Sequence, residues 1–516
     1  MADYDLRMTR ELAQGMRAEV TESLETLGKQ HKSVKLVLGK DYLPAINNDL
    51  LHRSKINPEV IQGGIGEKLH FVSKQLKVLG KGRPRKCTRP EKGSRPLYFL
   101  PDWDDFLDVN FDFIADKFSA GKRDQRVQKH SIELMRPDNL CDGVLVSLAQ
   151  HMGSKGLLKK HGALTMDALA PRSVRSHFCL NQDQWAFGDC GAFSYVAEKE
   201  PAISVEKAVA LYDLFGFDFG ASVDHIPVPE IVDANGRRRK LTRQERQARV
   251  EITRENAREF IAVCESRKAR FNPVGVIQGD KPEDYANQLR HYRDFGYEEI
   301  ALGGLVPRSD DEIVEIASLV RKRLKRFGKW NPWIHVFGVY RPRVHGQLRE
   351  LGINSFDSAT YFRKAWLRSD QNYLGVDGKW YAAIRVPPTS DPRTLVRLKA
   401  SGESERRVKR MEKAALKALR RFNDGQLSLE RTLDTVIAYD ALLTRNEGDS
   451  EDMRSKYQRT LDARPWQQCR CKMCQSLGID ALIFRGLNRN KRRGAHNTLQ
   501  LFRHVVSPHS SDGGTN

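Results

Sequence analysis

The sequence predicts an α/β protein built on a parallel (β/α)8 barrel, and three observations carry that prediction. From about residue 140, short apolar runs alternate with charged amphipathic stretches, the pattern of strands followed by helices. Six such runs follow one another between residues 185 and 358. Each ends in a polar or glycine-rich turn that holds its chemically able residue, and a barrel gathers its site at the C-terminal ends of its strands. WAFGD ends at Asp189, FGFDFGASVD at Asp224, and PVGVIQGD carries Gln278. EEIALGGL carries Gly303 and Gly304, WIHVFGV carries Gly338, and INSFDS carries Asp357. A doubly wound sheet would also put ligands at strand ends, so strand number is what favours the barrel.

The barrel is expected over residues 136–390, after an N-terminal extension, 1–135. Residues 1–30 space Leu6, Leu12, Met16, Val20, Leu24 and Leu27 as a helix does. GKGRPRKCTRPEKGSRP, residues 80–96, crowds cations among prolines and glycines and reads as a flexible basic arm. The stretch that follows, 97–118, alternates aromatics with aspartates and reads first as a half-buried acidic edge. Within the barrel, NGRRRKLTRQERQARV turns into a long charged helix, clustering Arg237, Arg238, Arg239 and Lys240 near the end where the carboxylates lie. RKRLKRFGK, residues 321–329, closes another helix and reads as its wet face. A helical insertion is expected over 391–455. Val408, Met411, Ala415, Leu419 and Phe422 share one face of a basic helix, Asn423-Asp424-Gly425 turns, and Leu429, Leu433, Val436 and Ile437 continue. Residues 456–516 remain for a small cysteine-bearing subdomain and a frayed tail.

Composition narrows the function. The 516 residues carry 87 Lys and Arg against 66 Asp and Glu, a formal net charge of +21, and 40% are hydrophobic. That is apolar enough to exclude wholesale disorder, and basic enough, in patches, to imply an acidic partner such as nucleic acid. No apolar run approaches the roughly 18 residues of a membrane span, and the start lacks a signal peptide's apolar core, so a cytoplasmic protein without a membrane partner is expected. Of eight cysteines, Cys469, Cys471 and Cys474 crowd together. With His496 they supply three thiolates and one imidazole, a closed tetrahedral set for a structural zinc ion. His504 is also near, but Asn497 and the apolar Leu499, Leu501 and Phe502 mark the start of a docking helix beside His496.

Asp189 and Asp357, at two strand ends of one barrel, can face each other across its mouth. Paired carboxylates suit cleavage of a glycosidic bond by covalent double displacement. Phe193 follows Asp189 closely enough to stack on a flat base. Asp224 and Gln278 can read a purine edge, and the Gly303-Gly304-Leu305 turn offers backbone at close approach.

Between roughly residues 140 and 505 the chain resembles the tRNA-guanine transglycosylase superfamily. FGDCGAF is similar to that family's F-S-D-S-G-G-F/Y motif and GVIQGD to its G-I-V-Q-G-G. ALGGL, HVFGV and FDSATYFRKA correspond in order to its later barrel motifs, and the cysteine cluster with His-Asn to its zinc subdomain. The resemblance implies Asp357 as nucleophile and Asp189 as general acid and base. It implies Asp224, Gln278, Gly304 and Leu305 as the base-recognition set, Phe193 stacked on the base, and Arg363 near the sugar-phosphate. Where tRNA-modifying members carry an arginine-rich P-T-R-x-x-R stretch, this chain reads Tyr361-Phe362-Arg363-Lys364-Ala365-Trp366. That departure, the long extension and the helical insertion resemble the DpdA branch, which inserts 7-deazaguanine bases such as 7-cyano-7-deazaguanine into DNA; the resemblance also implies a DpdB-like ATPase partner. The expected reaction is therefore exchange of guanine in DNA, with tRNA as the alternative polymer. A catalytically dead zinc protein that binds nucleic acid and a hydrolase that only releases the base are the other readings.

Overall fold

The structure, a computed structural model, describes residues 95–506 except 103–105, 121–126, 150–173, 233–235, 368–369, 393, 397–401 and 443–446. The helix expected over 1–30, nearly all of the basic arm 80–96 and the tail after residue 506 lie outside the described residues. The chain divides into two units, Met1–Asp102 with Asp142–Ser358, and Trp103–Cys141 with Ala359–Asn516.

The first unit contains a closed barrel of eight parallel strands. They are β1 (Leu97–Pro101), β2 (Gly143–Ser147), β3 (Trp185–Asp189), β4 (Phe219–Ala221), β5 (Asn272–Ile277), β6 (Glu299–Leu302), β7 (Trp333–Val336) and β8 (Ser355–Asp357). Each strand pairs with its successor, and β8 closes on β1 in a register that sets Leu97 opposite Ser355 and Phe99 opposite Asp357. The expected six runs are β3 to β8. The first strand lies in the segment expected as N-terminal extension, because LYFLP sits between a proline-rich basic run and an acidic loop that gives no βα signal. Helices α1 (Val205–Phe215), α2 (Arg243–Ser266), α3 (Pro282–Asp294), α4 (Asp310–Arg326) and α5 (Pro342–Glu350) follow β3 to β7 in turn.

Local chemistry starts these helices where they begin. Thr242 with Glu245 and Ser309 with Glu312 form reciprocal capping boxes at α2 and α4, satisfying backbone donors the helix itself cannot. The basic run ending α4 puts Arg323, Lys325 and Arg326 in its last turn, where the helix dipole favours cations. The barrel interior is aromatic: Phe99, Phe187, Phe219 and Trp333 are buried together, and Phe219 stacks on Trp333 with centroids 4.9 Å apart. Two strand glycines admit the helices. A Cβ on Gly188 would lie 2.2 Å from Tyr212 of α1, and one on Gly275 would lie 2.6 Å from Tyr292 of α3. At the opposite end from the carboxylates, Arg95 grips Asp142 with two 2.6 Å bonds and Arg175 meets Asp218 at 2.9 Å. These pairs tie neighbouring strand starts, the face of such barrels that serves stability.

The second unit begins with a hairpin, Phe106–Asp108 against Gln128–His130. It continues through α6 (Thr360–Lys364), α7 (Glu405–Asn423), α8 (Leu429–Ala441), α9 (Glu447–Ala463), α10 (Lys472–Leu477) and α11 (Gly486–Val506). The expected helical pair is α7 and α8, turned by Gly425 at φ 73°; α9 has no counterpart among the expected elements. Val408, Ala415, Leu419 and Phe422 are buried and Met411 only half-buried. The acidic-aromatic stretch has a definite task here. Arg489 of α11, 1% exposed, binds Asp480, Asp116 and the Phe113 carbonyl, while Arg492 donates to the Asp108 carbonyl. Among the described residues no helix is long and apolar enough to cross a membrane.

Candidate active site and candidate metal centre

The ends of β3, β4, β5, β7 and β8 bring four acidic or amide side chains and a histidine to one end of the barrel. Asp357, the last residue of β8, is 6% exposed. Its Oδ1 accepts the Gly338 N–H at 2.8 Å and a hydrogen bond from His335 Nε2 at 3.2 Å. Oδ2 carries no hydrogen bond among the described residues. His335, fully buried on β7, meets Ser355 Oγ through Nδ1 at 2.6 Å. Burial pushes the imidazole's pKa down against the pull of Asp357. A neutral ring facing a carboxylate carries its proton on Nε2, so Ser355 donates to Nδ1 and the chain Ser355–His335–Asp357 is directional.

Asp189 ends β3, and its Oδ2 accepts the Gly191 N–H at 3.1 Å, a turn that glycine makes at φ 87°. Desolvation, then the charge of Asp224, then more weakly that of Asp357, raise its pKa to about 8. Asp224 lies three residues beyond β4 and is buried. It accepts from Gln278 Nε2 at 2.6 Å and from the Cys190 thiol at 2.9 Å. Burial raises its pKa, and these two donors oppose the rise. Cys190 stays a thiol, because burial and the charges of Asp224 and Asp189 push its pKa well up. Tyr195 braces the same group, its hydroxyl 3.0 Å from the sulfur and donating to the Asp224 carbonyl at 2.9 Å.

Gln278 is 1% exposed, and its Oε1 has no hydrogen-bond partner among the described residues. The turn beside it must be glycine on both counts of space and angle. A Cβ on Gly303 would sit 2.2 Å from Gln278 Nε2, and one on Gly304, at φ 67°, 2.6 Å from Oε1. Leu305 is buried. Phe193, in the short turn Ala192–Tyr195 after Asp189, is 58% exposed. The structure therefore gathers Asp189, Asp224, Gln278, Gly303, Gly304 and Asp357. Arg363 is exposed on α6 and belongs to the second unit. Arg237, Arg238, Arg239 and Lys240 are exposed on or beside a small hairpin, Glu230–Val232 with Arg238–Lys240, in the loop that leaves β4. Arg238 faces Glu230 at 3.4 Å and Arg239 faces Glu245 at 2.8 Å, so part of that cluster's charge is already compensated. Sequence reasoning missed His335, Ser355, Cys190 and Tyr195; the one signal for His335 was a polar residue inside the apolar run WIHVFGV.

In the second unit Cys469, Cys471, Cys474 and His496 are all buried, with ligand atoms within 4.8 Å of one another. His496 Nδ1 lies 3.6, 3.4 and 3.4 Å from the three sulfurs. A tetrahedral zinc ion with its usual bond lengths separates sulfur from nitrogen by about 3.5 Å. His496 Nε2 donates to the Leu374 carbonyl at 2.7 Å, which fixes the tautomer and turns the Nδ1 lone pair toward the thiols. Tyr373 stacks on the imidazole at 4.1 Å, and the Cys474 N–H donates to Cys471 Sγ. The donor set fits a closed structural ion; His504 is not part of it.

No family model matches the chain. It is 33% identical over 410 residues to a DNA-guanine transglycosylase of Salmonella montevideo, covering 79% of this chain and 96% of that protein. It is 26% identical over 207 residues to a tRNA-guanine(15) transglycosylase of Methanosarcina mazei, 40% of this chain and 39% of the relative. A tRNA-guanine(15) transglycosylase of Methanosarcina barkeri is 27% identical over 220 residues, 42% of this chain and 41% of the relative.

Proposed function

The chain belongs to the guanine transglycosylase superfamily, whose members are pentosyltransferases, and from that premise we propose that it replaces guanine in DNA with a 7-deazaguanine base through a covalent aspartyl-sugar intermediate. The observation that carries the reading is the set of carboxylates at the strand ends, with the pKa of one of them, Asp189, pushed up to about 8 by desolvation first and by the charge of Asp224 second. In the first half-reaction Asp357 Oδ2 attacks C1′, the bond from C1′ to N9 breaks, and Asp189 gives its proton to the departing guanine. In the second, the incoming base returns its N9 proton to Asp189 and displaces Asp357, so protons balance and C1′ keeps its configuration.

Recognition follows from hydrogen-bond inventory. Guanine and 7-deazaguanines share the N1–H and exocyclic amine donors of one edge, and Asp224 with the unpartnered Gln278 Oε1 supplies acceptors for donors of that kind. Phe193 offers its exposed ring to the base plane, and Gly304 with Leu305 the close backbone. The target nucleotide must leave the stack to reach this depth, and Arg237–Lys240 would hold phosphates meanwhile. The residues at Cys469, Cys471, Cys474 and His496 would hold a structural zinc ion.

DNA is favoured over tRNA because the DNA-acting relative matches along nearly its whole length, while the tRNA-acting relatives match over about two fifths of theirs. The test is incubation with 7-cyano-7-deazaguanine and labelled duplex DNA or tRNA, followed by nucleoside mass spectrometry. Modified deoxynucleoside that disappears in Asp357→Asn is the expected result; incorporation into tRNA alone, or guanine release without incorporation, overturns it.

A further inference from the structure

The second unit has two strongly basic helices, and they use their charge differently. In α11 the cations from Arg489 to Arg493 face inward: Arg489 binds Asp480 and Asp116, and Arg493 donates to the carbonyls of Ala365, Ala481 and Ile483. In α7 a second set has no such use. Arg406, Arg410, Lys413 and Lys417 are exposed, and none has a carboxylate partner among the described residues. Their spacing of four, three and four residues places them in one stripe about 16 Å long, on the side away from buried Val408, Ala415 and Leu419.

Acids are absent from that stripe rather than interspersed along it. The helix has only two, and both are engaged elsewhere: Glu405 holds Lys409 at 2.5 Å, and Glu412 is buried against Arg485 and the Thr389 N–H. Arg407, off the stripe, pairs with Glu403 at 3.2 Å. An ordinary solvated helix mixes signs along its exposed face. Here the stripe also puts Arg406 in the first turn, where the helix dipole disfavours a cation. Like charges at successive turns repel, a cost that an anionic polymer removes.

We infer that this face of α7 is a second contact surface for the phosphate backbone of the DNA substrate, separate from the arginine hairpin of the barrel unit. The stripe matches about five base-pair steps of B-DNA at 3.4 Å each, and its regular cations carry no base-reading group, so it positions the duplex without selecting sequence. The inference rests on the reading that DNA is the polymer.

The test uses the full chain and a fluorescent 30-base-pair duplex, with binding measured from 0.05 to 0.4 M salt. The quadruple variant Arg406→Gln, Arg410→Gln, Lys413→Gln, Lys417→Gln is compared with a charge-keeping pair, Arg406→Lys and Arg410→Lys. Every phosphate left without its cation lowers the slope of log K against log salt by about 0.9. The expected result is a slope lower by about 3.6 for the quadruple variant, at least tenfold weaker binding at 0.1 M salt, and wild-type behaviour for the lysine pair. A quadruple variant with an unchanged slope and an unchanged circular dichroism spectrum overturns the stripe while leaving the DNA reading intact. A parent protein that binds tRNA and not the duplex overturns both.

Discussion

Removing the charge of Asp224 should move the pH limit of guanine release, because Asp189 owes its protonated state partly to that charge. Desolvation comes first among the causes that raise Asp189 to about 8, and the Asp224 charge second. At pH 7 a group of that pKa is protonated about ten times as often as not, and it loses a factor of about ten per pH unit above 8. A general acid of this kind makes release of guanine slow as pH rises through 8. The carboxyl oxygens of Asp189 and Asp224 lie within 4.8 Å, and at an effective dielectric near 20 two charges so placed repel by about 3 kcal/mol. Asp189 is half-buried, which screens part of this, so Asp224→Asn should lower the alkaline midpoint by at least about one pH unit and still leave it above the ordinary carboxylate range. The assay is single-turnover release of labelled guanine from DNA between pH 6 and 10, read as a midpoint so that weaker base binding does not obscure it. A parent rate that is flat or rising through pH 8, or a midpoint unmoved in the variant, refutes the assignment of Asp189 as the acid. Linkage gives an independent sign: the folded chain keeps a proton that the unfolded chain loses above 3.8, so this group erodes stability as pH rises from about 4 to about 8.

Replacing His335 by Phe removes the Nε2 donor to Asp357 and strands the Ser355 hydroxyl in the interior; a loss of about 10- to 100-fold in single-turnover guanine release is expected with little change in KM for the free base, checked by rapid quench, and His335→Gln should recover part of it. On the proposed zinc site, Cys474→Ser should lower the zinc content found by elemental analysis and the thermal midpoint of the second unit's unfolding, since a structural ion's binding energy is folding energy. Arg489→Met takes from Asp480 and Asp116 the buried guanidinium they share and leaves them Arg420 and Arg485 respectively; denaturant titration should show about 1.5 to 3 kcal/mol of destabilisation.

Most of the barrel was legible because burial on both faces makes strands apolar throughout, so that the first polar residue marks the strand's end. β3 to β8 follow that rule apart from the first residues Asn272, Glu299 and Ser355 and, within β7, His335. β1 escaped it: among the described residues only the five-residue helix Ser131–Met135 separates it from β2, the intervening residues 103–141 belong to the other unit, and the periodicity of a βα repeat is broken there. The carboxylates were visible as strand-end residues, whereas His335 was hidden by its own position inside a strand, where a histidine reads as a break in hydrophobicity. Cys190 looked like a small residue in a glycine-rich turn; its role as a donor to Asp224 depends on a side chain 34 positions away.

The two basic helices show why a net charge of +21 locates a partner only after its counter-charges are found. Asn488 to Arg493 holds four cations in six positions with no acid among them. Its acids, however, are Asp116 and Asp480, the first of them 373 residues away from Arg489, and no window of sequence joins them. A buried guanidinium needs its hydrogen bonds met inside the fold, and the acidic-aromatic hairpin region meets them, so those cations belong to the fold's interior. Arg406, Arg410, Lys413 and Lys417 of α7 have the reverse relation: their nearest acids in sequence are spent on other partners, so the charge of these four stays uncompensated at the surface. Neutralising α11 should therefore unfold the second unit, and neutralising the stripe on α7 should leave it folded with a weakened hold on its polymer.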